Sequence, residues 1–93
     1  MVVIILERVT PSLRGELTRW LIQPHTGVFV GGITARVRDL LWRRIGKSIK
    51  DGAATMLYTA DTEQGFTART IGNPRRIMTD FEGILLPKKP LSP

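Results

Sequence analysis

With 93 residues the chain is one domain near the lower end of the usual size range, and its balance of 42% hydrophobic to 24% charged residues argues against disorder along its length. Fourteen Lys and Arg against eight Asp and Glu give a net charge of +6, and ten of the fourteen bases are Arg, whose planar donor fork suits phosphate oxygens. The lack of cysteine excludes disulfides, thiolate catalysis and Cys-ligated zinc, and fits a reducing cytoplasm.

Val2 to Leu6 is a continuous aliphatic run, which predicts a strand buried on both faces. Glu7 and Arg8 end it, so it is too short for a signal peptide and far from the about 20 apolar residues of a membrane span. Thr10 and Pro11 then supply an N-cap and a first helical position. Leu13, Leu17, Trp20 and Leu21 continue as one helical stripe, and Pro24 closes it, predicting a helix over 11–22.

Thr26 to Gly31 predicts a short strand between glycines. Thr34 caps a second helix running to about Lys50, with Val37, Leu41, Ile45 and Ile49 on one stripe. Further strands are expected at Ala54–Ala60, Phe66–Ile71 and Gly83–Leu86, with a turn over Asp61–Gly65. The order predicts an α+β fold: a ferredoxin-like sandwich over 1–86, with both helices on one face of an antiparallel sheet. Three prolines in the last seven residues make 87–93 an extended C-terminal tail.

The bases are not evenly spread. Arg36, Arg43, Lys47 and Lys50 fall within one narrow arc of the second helix, opposite its apolar stripe. That arc is either a solvated helix face, the commoner meaning of such a run, or a polyanion track; the scarcity of i,i+4 acids along it weakens the first reading. Arg38 lies inside the apolar stripe, so it either snorkels to water or points at a ligand or a second subunit. Arg75 and Arg76 sit in a segment interrupted by Gly72 and Pro74, where they are either an ordinary loop pair or a phosphate contact. Arg14 stands in the first turn of the first helix, mildly against the helix dipole.

Catalytic chemistry is thinly represented. His25 is the only histidine, and there is no phosphate loop of the Walker type and no HExxH. Asp61-Thr62-Glu63 is too short for a calcium loop. Glu7, ending the first strand, is the one carboxylate placed to hold Mg²⁺ against a phosphate, better as two copies across a dimer axis than as one. The plainer reading pairs Glu7 with Arg8 or another base.

Several short runs, taken together, resemble a known family. They are Glu7-x-Val9-x-Pro11-x-Leu13-Arg14-Gly15, Trp20-Leu21, Gly27-Val28-Phe29-Val30-Gly31 and Trp42. They continue with Thr62-Glu63-x-Gly65-Phe66, Asn73-x-Arg75-Arg76 and Asp80-x-x-Gly83. In this order and spacing they resemble the small CRISPR-associated adaptation protein, Cas2, of the type I-E branch, over nearly the whole chain. The resemblance implies a cytoplasmic ferredoxin-like homodimer that bridges dimers of the larger adaptation protein, the integrase, and holds a DNA duplex by its backbone during spacer acquisition. It further implies backbone contacts from Arg14, Arg36, Arg38, Arg75 and Arg76, and docking of the C-terminal strands and tail on the integrase. No membrane partner is implied.

Two positions depart from the family pattern. A further basic position of the first helix falls on Ser12, and the strand-end carboxylate is Glu7 where the family usually has Asp. That carboxylate is the Mg²⁺ ligand and catalytic residue of the endonuclease activity credited to the family. Three functions thus compete: a non-catalytic DNA-bridging scaffold without a cofactor, a Mg²⁺-dependent endonuclease using Glu7, and a generic RNA-binding αβ module. The last would stack bases on Tyr58 and Phe66, but the chain lacks the RNP1 pattern.

Overall fold

β-branched Val2, Val3, Ile4 and Ile5 fill most of β1 (Val2–Glu7), the central strand of a five-stranded sheet. The computed structural model describes residues 1–73 with their side chains, and the backbone of 77–81 and 84–88. After β1 come α1 (Pro11–Leu17), β2 (Ile22–His25), β3 (Val28–Gly31), α2 (Ala35–Ser48), β4 (Ala53–Thr59) and β5 (Phe66–Ile71). The chain continues through β6 (Ile77–Phe81) and β7 (Ile84–Lys88).

The sheet is antiparallel with order β2-β3-β1-β4-β5, and β6 and β7 pair as a separate hairpin. The units β1-α1-β2 and β3-α2-β4 interleave, each placing one strand between the two of the other, which is the ferredoxin-like split βαβ arrangement. β5 extends this sheet by one strand beyond β4.

Both helices begin as their caps dictate: the Thr10 and Thr34 hydroxyls accept from the backbone N–H groups of Leu13 and Val37, each at 3.2 Å. Leu13 and Leu17 of α1, and Leu41 and Ile45 of α2, pack onto Val2, Ile4 and Leu6 of β1. Phe29 from β3 and Ala54 and Met56 from β4 complete this core. Phe29 is fully buried at its centre, so its truncation to Ala would cost about 3–5 kcal/mol.

Four expectations change. First, α1 stops at Leu17 rather than continuing to Ile22. The N–H groups of Trp20 and Leu21 both bond to the Leu17 carbonyl, and the turn they make buries Leu21 but leaves Trp20 54% exposed. Second, Pro24 does not close a helix; it sits in the edge strand β2, where a missing N–H costs no ladder bond. Third, β1 is not buried on both faces: Val2, Ile4 and Leu6 are buried under the helices, while Val3, Ile5 and Glu7 on the other face are only half-buried. Fourth, the last strand reaches Lys88, and an additional strand, β6, lies across from it.

One end of the sheet is drawn tight by backbone contacts. Gly27 adopts φ 81°, and a Cβ there would stand 2.7 Å from the Leu6 carbonyl oxygen, so only glycine lets the β2–β3 turn close on β1. We call this the Glu7 end; Glu7 is paired with Ala53, and β5 leaves the sheet there. At the Met1 end, Thr59 donates its backbone N–H to the Met1 carbonyl.

Candidate nucleic-acid interface

Antiparallel packing of the two helices sets where each base stands. Arg44 of α2 pairs with Glu16 of α1, so α1 lies beside the second half of α2. Arg14 therefore sits toward the Glu7 end, while Arg36 and Arg38, on the first turn of α2, sit at the Met1 end. Of the arginines singled out by the resemblance, Arg14 thus stands apart from Arg36 and Arg38 among the described residues. Arg75 and Arg76 lie outside the described residues; they follow Asn73, which the Arg8 guanidinium reaches at the Glu7 end.

The outer face of α2 matches its periodicity. Arg36, Arg43 and Lys47 are exposed, and among the described residues their side chains have no ion-pair or hydrogen-bond partner. From Arg36 to Lys47 the helix rises roughly 16 Å, a length of duplex carrying about nine phosphates. Lys50 does not belong to this stripe by helical geometry. α2 is capped at Ile49, and Lys50 has already turned to φ 50°, a left-handed conformation favoured by glycine.

Arg38 is neither snorkelling freely nor open to a ligand on all sides. Its guanidinium carbon lies 4.1 Å from the centroid of the Tyr58 ring, its Nε–H donates to Asp39 Oδ1 at 3.2 Å, and its side chain is 18% exposed. Arg69 joins it from β5. Its Nε–H donates to the Tyr58 hydroxyl at 3.1 Å, its Nη1 reaches the same Asp39 oxygen at 3.3 Å, and its guanidinium carbon lies 5.1 Å from the ring centroid. The sequence reading missed Arg69. The signal that would have found it is register: Met56 pairs with Arg69 and Tyr58 with Thr67, so Arg69 shares the helix-facing side of the sheet with Tyr58.

The same register weakens base stacking on the sheet. Tyr58 faces the helices beneath Arg38, which leaves Phe66 as the sole aromatic of the pair on the open face. Arg14 donates from Nη1 to the Val9 carbonyl at 3.1 Å. Because α1 has only seven residues, Arg14 belongs to its last turn as well as its first, and the expected dipole cost is offset.

Glu7 stands on the open face with Val3 and Ile5, and Arg8 Nη1 lies 3.8 Å from its Oε1. Among the described residues no group of three or more His, Asp or Glu side chains gathers to hold a metal. One carboxylate beside a guanidinium does not fit Mg²⁺ within a single chain, since the ion needs several oxygen ligands and the guanidinium competes for the only one. No described helix is long and apolar enough to cross a membrane. Comparison with known families gives a match to the model described as "CRISPR-associated protein (Cas_Cas2CT1978)", over residues 1–86.

Proposed function

The chain belongs to the CRISPR-associated, Cas2-like family, and from that premise we propose that it serves CRISPR adaptation as a non-catalytic scaffold. In this reading a homodimer holds a DNA duplex by its backbone, without sequence readout, and bridges dimers of the integrase that performs the chemistry. The observation that carries it is the exposed stripe Arg36, Arg43 and Lys47, which has no acidic partner among the described residues because its one neighbouring acid, Asp39, bonds to Arg38 and Arg69. Phosphate contacts of this kind position a duplex but do not read its bases.

The dimer is supported by the open face of the sheet. Val3, Ile5, Val28, Val30 and Leu57 share that face and are only half-buried, an apolar patch of the sort a second subunit covers. A domain of this size gains much from such burial.

The test is duplex binding across a salt series. The plot of log K against log salt should fall by about 0.9 per phosphate contacted. Replacing Arg36, Arg38, Arg75 and Arg76 together by Ala should abolish spacer acquisition. Binding indifferent to salt, or acquisition unchanged in the fourfold variant, refutes the scaffold.

A second reading, a Mg²⁺-dependent endonuclease, draws on one observation. Glu7 shares the open face with Val3 and Ile5, so a dimer formed through that face would bring two Glu7 carboxylates toward its axis. Loss of Mg²⁺-dependent cleavage in Glu7→Ala, with DNA binding intact, would favour this reading; cleavage surviving the substitution would remove it.

A further inference from the structure

The pair Arg38 and Arg69 places two guanidiniums on one tyrosine. Their positive charges repel, and the arrangement holds because Asp39 Oδ1 accepts from both, at 3.2 and 3.3 Å. One carboxylate against two guanidiniums leaves one positive charge in excess. The donors are also underused. Arg38 spends only Nε–H and Arg69 only Nε–H and Nη1, so among the described residues both terminal amino groups of Arg38 and Nη2 of Arg69 donate to nothing. Asp39 and Arg69 are open to solvent, with side chains 45% and 40% exposed.

We infer that Arg38 and Arg69, stacked on Tyr58, form a phosphodiester-binding pair, and that Asp39 is its resident carboxylate, displaced when the DNA backbone arrives. This rests on the duplex-binding reading and deepens it. A phosphodiester, like a carboxylate, spreads one charge over two oxygens, but Asp39 now offers the pair only Oδ1, so a phosphate that presents both non-bridging oxygens can serve one guanidinium fork with each. The position is continuous with the outer stripe. On the helical wheel Asp39 lies about 60° from Arg36, so the pair carries the track from the outer face of α2 over its flank to β5. Tyr58 fixes both planes in advance, which lowers the ordering cost of the contact.

Asp39 then acts as a competitor built into the site. Removing its charge should strengthen duplex binding, although it also removes a residue that holds the pair together. Exposed ion pairs are worth up to about 1 kcal/mol, so Asp39→Asn should tighten duplex binding by roughly two- to fivefold. Asp61→Asn, which changes net charge equally at an exposed turn, should have a smaller effect. Arg69→Ala should reduce the salt slope by about 0.9, and Arg69→Lys should keep most of that slope while losing the stacking geometry. In the double variant Asp39→Asn with Arg69→Ala, the gain should shrink, since only Arg38 is then released from the carboxylate.

The experiment is duplex binding by the full chain over a salt series for these variants, with folding checked by thermal unfolding. An unchanged slope in Arg69→Ala, or weaker binding in Asp39→Asn, overturns the inference. If wild-type binding stays steep in salt meanwhile, the duplex reading survives alone; if it is flat, both fall. Inorganic phosphate at matched ionic strength is the second arm. Displacement of duplex by millimolar phosphate but not by chloride would assign the pair to free phosphate and overturn the backbone assignment.

Discussion

The outer and inner arginines of α2 carry the same charge, and the fold treats them oppositely. Arg36 and Arg43, with Lys47, stand exposed and without partners among the described residues. Two residues from Arg36, Arg38 turns inward and is held by an aromatic face and a carboxylate. The difference follows from desolvation. A guanidinium in water needs no partner and keeps its field available to a distant polyanion, whereas one removed from water must be paired where it lies. Outer bases can thus be deleted with little harm to the fold, and inner ones cannot.

The largest effect should come from the outer face, and on binding alone. Replacing Arg36, Arg43 and Lys47 together by Ala should lower the salt slope by about 0.9 for each residue that meets a phosphate, and weaken duplex binding by roughly a hundredfold. Thermal stability should change little, because exposed sites typically lie within about 0.5 kcal/mol of neutral. A clear loss of stability in this variant would break the comparison.

Arg38→Ala should do the reverse in emphasis. It removes a cation–π contact worth about 0.5–2 kcal/mol and a partly covered ion pair, and it uncovers the Tyr58 ring. A loss of about 1–3 kcal/mol is expected, and each kcal/mol should lower Tm by roughly 4–8 °C in a domain of this size. Urea unfolding measures it directly; an Arg38→Ala variant as stable as the parent would show that the inward arginine is not structural.

How these two populations appear in the sequence explains what could be read and what could not. Periodicity separates Arg36, Arg43 and Lys47 from the Val37, Leu41 and Ile45 stripe, because both are properties of one helix. It flags Arg38 as anomalous but leaves its partner unnamed, since Tyr58 is twenty residues away on β4. Arg69 carries no local mark at all; its role depends on the β4–β5 register and on the packing of α2 over both strands. The same limit governs the fold. Thr10-Pro11 and Thr34 mark helix starts by local chemistry, whereas the end of α1 is set by a turn that keeps Leu21 in the core, and Trp20-Leu21 continue the apolar pattern past it. Pro24 reads as a stop until the sheet order shows that its strand is an edge.

The smallest effect sharpens the inner half of the comparison. Tyr58→Phe keeps the ring under Arg38 and removes only the hydroxyl that accepts from Arg69 Nε at 3.1 Å. Arg69 is 40% exposed and can recover that bond from water, so the cost should be at the low end of a net hydrogen bond, about 0.5 kcal/mol. Chemical denaturation would measure this as a small shift in midpoint at unchanged m-value. If Tyr58→Phe instead costs as much as Arg38→Ala, the hydroxyl would be what organises the cluster. The ring would then be incidental, and the pairing of the inner arginines would rest on a neutral hydrogen bond rather than on the aromatic face and Asp39.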